Sequence, residues 1–89
     1  MRSARYTGQF KRDVNLANKR GKDLSKLRHV MVLLLEDLPL PRELGDHPLK
    51  GEWKPSRDCH IEADWILIYS LDGETVCFER TGTHADLFG

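Results

Sequence analysis

The sequence predicts an α+β domain: an N-terminal antiparallel helical hairpin packed on one face of a twisted, mainly antiparallel sheet. Three observations predict it. Residues 8–38 repeat apolar side chains at helical spacing around one short break, Gly21-Lys22. The run Trp65-Ile66-Leu67-Ile68-Tyr69 is apolar on both faces, as a central strand must be. Asp72-Gly73 then separates that run from a second strand-like segment, Thr75 to Thr81.

Each element has its own signal. Arg5 to Thr7 reads as a short strand. The first helix is predicted from about Gly8 to Arg20, with Phe10, Val14 and Ala17 as a thin apolar stripe. Gly21 stands where a terminating glycine belongs, and Lys19 and Arg20 suit the negative end of a helix. Asp23 is placed to cap the second helix, in which Leu24, Leu27, Met31, Leu34 and Leu38 repeat until Pro39 and Pro41 stop it. So short a link allows only an antiparallel hairpin. Arg42 to Gly51 is a polar loop, and Trp53 to Ile61 a strand interrupted or started at Pro55, which lies at an edge or bulge. Thr81-Gly82-Thr83 turns the chain to present His84, and Ala85 to Phe88 forms a short terminal turn or helix.

The whole chain, 1–89, is a single domain, long enough for one core that buries roughly 60–65 % of its unfolded surface. The longest apolar run, Val30 to Leu35, is far short of the ~20 residues of a membrane span, so no membrane association is expected. No secretory signal is visible at the N-terminus, and Cys59 and Cys77 suit two free thiols in a reducing cytoplasm. The formal net charge of zero hides an asymmetry. Residues 1–30 hold nine lysines and arginines against two aspartates, a net of +7; residues 31–89 carry the balancing −7. Lys19, Arg20 and Lys22 lie in this basic third, an electrostatic footprint for polyphosphate or for an acidic protein.

The remaining titratable side chains concentrate after residue 46. Asp46-His47-Pro48-Leu49, Arg57-Asp58-Cys59-His60, Asp64-Trp65 and Glu79-Arg80-Thr81-Gly82-Thr83-His84 stand before a closing Leu87-Phe88-Gly89. His60 and Asp64 bracket the entry to the central strand, and Arg80 and His84 the exit of its hairpin partner. Pairing about the Asp72-Gly73 turn therefore brings these four to one end of the sheet. His47 lies on a loop able to fold over the same end.

Such a set suits metal-independent cleavage of RNA. A base takes the proton of a ribose 2′-OH, an acid protonates the 5′-oxygen, and a cation stabilises the added charge of the transition state. Histidine exchanges protons near neutrality, and arginine forks two hydrogen bonds onto phosphate. We read His84 as the acid, Asp64 or His60 as the base, Arg80 as the cation and His47 as a phosphate contact. Trp65 and Phe88 offer planar faces for unstacked bases. A zinc site on His47, His60, Asp64 and His84 is the competing reading. It is disfavoured because i, i+4 spacing at a strand boundary does not put ligands on one face, and because Arg80 would repel a cation. No metal and no cofactor is expected.

These motifs, together with Leu38-Pro39-Leu40-Pro41, Gly51 with Trp53-Lys54, Tyr6-Thr7-Gly8-Gln9 and Lys22-Asp23, resemble the YafQ family of bacterial toxins within the RelE/ParE superfamily. The resemblance covers nearly the whole chain and agrees with the fold argued above. It implies a toxin of a type II toxin–antitoxin system, a ribosome-dependent endoribonuclease acting on translated mRNA. It further implies partners: the 70S ribosome and its RNA, the mRNA, a cognate antitoxin, and operator DNA only through that antitoxin. The family's functional positions fall on His47, His60, Asp64, Trp65, Arg80, His84 and Phe88. The alternative within the superfamily is a non-enzymatic inhibitor of the gyrase-poisoning kind, which has no need of that set.

Overall fold

A computed structural model describes residues 1–89. Strands β1 (Ser3–Tyr6), β2 (His47–Pro48), β3 (Arg57–Glu62), β4 (Trp65–Asp72) and β5 (Thr75–Gly82) form one sheet in the order β1-β5-β4-β3-β2. β1 runs parallel to β5, and every other pair is antiparallel. Helices α1 (Gly8–Lys19) and α2 (Leu24–Leu35) form the expected hairpin, and α3 (His84–Phe88) closes the chain.

The helix ends follow local chemistry. Thr7 caps α1 by accepting from the Phe10 amide at 2.9 Å, and its hydroxyl donates to the Glu79 carbonyl at 2.7 Å. The cap therefore ties α1 to β5. At the other end Gly21 adopts φ 79°, and the amides of Gly21 and Lys22 close back on the carbonyls of Asn18 and Ala17. The second helix stops earlier than the sequence predicts. Asp37 takes the left-handed conformation at φ 57°, and Leu38, expected on the apolar stripe, is half exposed. The reason lies downstream, because a residue before proline is pushed out of the helical region, so Leu38 cannot continue the helix into Pro39.

One face of the sheet carries the main core. Trp65, Leu67 and Tyr69 of β4 join Cys59, Val76 and Phe78 beneath Phe10 and Ala17 of α1 and Leu27, Val30 and Leu34 of α2. Ile66 and Ile68 point the other way, into a small cluster with Leu87 of α3 and the half-buried Leu49 and Trp53. No long helix covers this second face. Strand β4 is thus apolar on both sides, as predicted.

Three details differ from expectation. The hairpin turn is one residue further on: Asp72 pairs with Thr75, leaving Gly73 and Glu74 as the central pair, with Gly73 at φ 60°. A glycine at the first central position is what the twist of a two-residue hairpin favours. The segment from Trp53 does not start a strand; a helical turn at Gly51–Trp53 precedes β3, which begins at Arg57 beyond Pro55. Finally, His47 and Pro48 form a two-residue edge strand where a loop was expected, His47 opposite Asp58. Two residues carry too little pattern to be read from sequence.

Phe78 packs against Tyr6 and Phe10 with ring centroids 5.6 and 5.8 Å away. Replacing Phe78 by alanine should cost about 3–5 kcal/mol, measured by urea unfolding. A loss below about 1 kcal/mol would show that this aromatic contact does not hold the helices to the sheet.

Candidate active site

Period-two alternation builds the site on the sheet face that the long helices leave open. In β3, Asp58 and His60 lie two residues apart and so share a face. Asp58 pairs with His47 of β2 on one side and with Ile68 of β4 on the other. Ile68 in turn pairs with Arg80 of β5. The next row runs from His60 through Ile66 to Gly82, just before α3.

The short helix α3 supplies His84 and Phe88. Thr83 caps it in a reciprocal capping box with Asp86, and Arg20 of the α1 terminus forks onto Asp86 at 2.7 and 3.3 Å. That guanidinium and the Thr83 amide hold the Asp86 carboxyl far below its usual range. A five-residue helix is marginal alone, and these contacts fix it in place.

Asp64 receives His84 twice. Its Oδ1 accepts the His84 amide at 2.9 Å and lies 2.6 Å from the ring Nδ1. Those bonds hold the Asp64 carboxyl below its ordinary value, the backbone amide contributing most. With a carboxylate against it, Nδ1 carries a hydrogen, so Nε2 is the nitrogen left for substrate. The ring centroids of His60 and His84 are 5.5 Å apart, and Phe88 stands 6.4 Å from His84 and edge-on to Trp53. His47 is half exposed, with Nδ1 2.8 Å from the Gly45 carbonyl and 2.9 Å from Asp58 Oδ1. Its Nε2 is likewise the free nitrogen.

The structure therefore brings together His47, His60, Asp64, His84 and Phe88. Two expectations need correcting. Trp65 is 1 % exposed and donates through Nε1 to Thr81 Oγ1 at 2.9 Å, so it is a core residue and no platform for a base. Arg80 sits in the correct row, but its guanidinium reaches round to α1 and binds Asp13 at 2.7 and 3.2 Å. A bulge places Glu79 as an extra residue between the Tyr69–Phe78 and Ile68–Arg80 pairs, and Arg80 lies beyond the end of β1, on a free edge. The basic third is also more occupied than its charge suggests: Arg20 pairs with Asp86, Lys22 and Lys26 with Glu62, and Arg2 with Asp37. Lys19, with Lys11 and Arg12 on the same helix, stays exposed and in no ion pair.

Sequence reasoning missed Asp58 and Asp13. Period two from His60 reaches Asp58 directly. Asp13 stands three residues after Phe10, within the apolar stripe, where it takes the buried position expected for Val14. No group of three or more His, Cys, Asp and Glu side chains is placed to hold a metal ion.

Comparison with known proteins gives this arrangement a class, that of the small toxins of bacterial type II toxin–antitoxin systems. A family model described as "Bacterial toxin of type II toxin-antitoxin system, YafQ" matches residues 2–89, and the chain belongs to that family. It is 56 % identical over 89 residues to the mRNA interferase toxin YafQ of Escherichia coli K12, covering 99 % of this chain and 97 % of the relative. The toxin in a crystal structure of the E. coli DinJ-YafQ complex superposes with a TM-score of 0.93 at 56 % identity, with 100 % of both chains covered. A metal-bound toxin from Helicobacter pylori superposes at 0.92 with 34 % identity, covering 99 % of this chain and 100 % of that one. The predicted fold and family are borne out.

Asp13 also accepts the Thr81 amide at 3.1 Å and Gln9 Nε2 at 3.0 Å, so Asp13→Ala strands several donors. The variant should lose about 3 kcal/mol in chemical denaturation; an unchanged midpoint would refute the linking role. Because the Asp64 value is depressed in the folded state, its pairing persists above the ordinary carboxylate range and is lost as pH falls through the lowered value. Carbon-13 NMR of the Asp64 carboxyl should show its midpoint below the ~3.9 of a free aspartate, and a midpoint at or above it would contradict the pairing.

Proposed function

We propose that this chain is a ribosome-dependent endoribonuclease that cleaves translated mRNA by acid/base chemistry through the ribose 2′-OH. The observation that carries the reading is the Asp64–His84 pair with the His60 ring 5.5 Å away, on an open face beside an exposed aromatic. In the forward step a histidine Nε2 takes the 2′-OH proton and O2′ attacks phosphorus. The 5′-oxygen departs with a proton from His84 Nε2, leaving a 2′,3′-cyclic phosphate and a 5′-hydroxyl. Asp64 is engaged with His84, so of the two bases expected from sequence His60 is the one free to act. His47 joins it as a second imidazole whose Nε2 lone pair points away from its fixed Nδ1–H. Phe88 supplies the stacking surface.

The exposed Lys11, Arg12 and Lys19 face ribosomal RNA in this reading, in place of the paired Arg20 and Lys22. A cognate antitoxin restrains the chain, as DinJ accompanies YafQ in the E. coli complex, and operator DNA is met only through it.

His84→Ala should lower the cleavage rate on programmed ribosomes by at least about 100-fold while retaining the parent's unfolding midpoint. Growth arrest as strong as the parent's, with mRNA ends unchanged, would sink the assignment and favour the gyrase-inhibitor alternative. A 2′-deoxy sugar at the cut position should block the reaction, and divalent-stripped protein should remain active. A requirement for toxin-bound metal would refute the metal-free step. Reversing Lys11, Arg12 and Lys19 to glutamate should weaken ribosome binding and flatten its salt dependence; an unchanged slope would remove that surface from the interface.

A further inference from the structure

Asp58 has no role in the chemistry above, yet it is the most costly charge on that face. Its side chain is only 6 % exposed, and Oδ1 is buried with no aligned hydrogen-bond donor. A carboxylate in that state loses its hydration without replacement. Its one close cationic neighbour is His47 Nδ1, at 2.9 Å. The same nitrogen lies 2.8 Å from the Gly45 carbonyl, which can only accept, so Nδ1 carries the hydrogen. Backbone pairing between His47 and Asp58 holds both residues in this relation.

We propose that Asp58 is a positioning residue that acts through His47: it fixes the ring with Nε2 toward substrate and stabilises the imidazolium formed when Nε2 takes the 2′-OH proton. The inference rests on the endoribonuclease reading and adds to it the residue that makes His47 an effective proton acceptor. Its logic is electrostatic. Before proton transfer the buried carboxylate faces a neutral ring and is poorly compensated. After transfer it faces a cation at ion-pair distance, so the pair is stronger in the transition state than in the ground state. Burial pushes the Asp58 carboxyl above its usual range, while His47 and, less strongly, His60 and His84 pull it back. The charged groups around it are His47 from β2, His60 from its own strand, His84 from α3 and Asp46 from the preceding loop. Strand β4 presents only Ile68, and Arg80 beyond it is held by Asp13.

The test compares the parent, Asp58→Asn, His47→Gln and the double variant, as full chains on programmed ribosomes. Asp58→Asn should lower kcat roughly tenfold or more with KM unchanged. The acid limb of its pH–rate profile should lie at lower pH, because the imidazolium has lost its anionic neighbour. In the His47→Gln background the second substitution should change nothing further. The variant should also fold at least as well as the parent at neutral pH, since a carboxyl raised in the folded state opposes folding once ionised. Nitrogen-15 NMR of the free protein, with His47 neutral, should report the Nδ1–H tautomer, and this measurement needs no ribosome.

Full activity in Asp58→Asn, or an equal loss with and without His47, overturns the proposal while the endoribonuclease reading stands. Full activity in His47→Gln overturns it as well. A parent that leaves ribosome-bound mRNA intact overturns the reading beneath it, and an Nε2–H tautomer overturns the His47 geometry whatever the ribosomes do.

Discussion

The carboxylate of Asp13 is the joint on which the arrangement turns. It is buried in α1 and receives Arg80 Nε, Arg80 Nη2, the Thr81 amide and Gln9 Nε2. Thr81 in turn accepts from Trp65 Nε1 and donates to the Ile66 carbonyl, so one chain of hydrogen bonds runs from α1 through β5 into β4. A carboxylate shared among so many donors is held in one geometry, which fixes where the last residues of β5 leave the sheet. Those residues lead directly into α3, and α3 carries His84 and Phe88. The end of the molecule that carries His84 and Phe88 is therefore indexed to the helical hairpin by a polar contact within a largely apolar interface. Hydrophobic burial supplies most of the stability, but it is non-directional and would tolerate small slides of helix on sheet. The Asp13 network does not.

The two sheet faces divide the work. The helix-covered face holds the aromatic and aliphatic core and needs no access to solvent. The other face has only a short helix and the Leu49–Trp53 segment over Ile66 and Ile68, and there the histidines remain open. An imidazole that exchanges protons with a substrate must be reachable, whereas the carboxylates that orient it gain from being fixed. His47 is half exposed beside an almost fully buried Asp58, and the pairing of those two exposures is what the proposed proton acceptor and its support require. Asp64 obtains its fixity differently, through two contacts with His84 in a position that stays in water.

Much of this was legible in the sequence. The hairpin, the central strand, the terminal turn and the convergence of His60, Asp64 and His84 follow from periodicity, one glycine and the two-residue connection. The errors have local causes. The chemistry of Trp65 suggests a stacking surface, but it opens a strand buried on both faces, and burial wins. Strand pairing alone sets Arg80 at the site, but a bulge and a free edge turn its guanidinium toward α1. Lys19, Arg20 and Lys22 look like free charge in the sequence, although Glu62 and Asp86, more than thirty residues away, neutralise two of the three. Long-range ion pairs leave no short-range signature, so charge counts overstate the cation available to a partner. Asp58, by contrast, was within reach, because strand period alone sets it beside His60.

The ion pairs also explain how a chain of zero formal charge keeps a polarised surface. Arg2, Arg20, Lys22, Lys26 and Arg80 are each matched to a carboxylate, four of them on other elements, so they hold the fold together and contribute little field at a distance. What remains on α1 is a short set of unpaired cations on the covering layer, while the histidines occupy the sheet face that layer leaves open. A partner attracted by those cations thus first meets a surface other than the one that carries the histidines. Attraction that falls off within about 8 Å at physiological salt cannot by itself thread a substrate into the site. On the ribosome-dependent reading proposed above, a larger body engaged by those cations holds the substrate in place. The same separation leaves room for an antitoxin to cover the cationic helix without reaching His84.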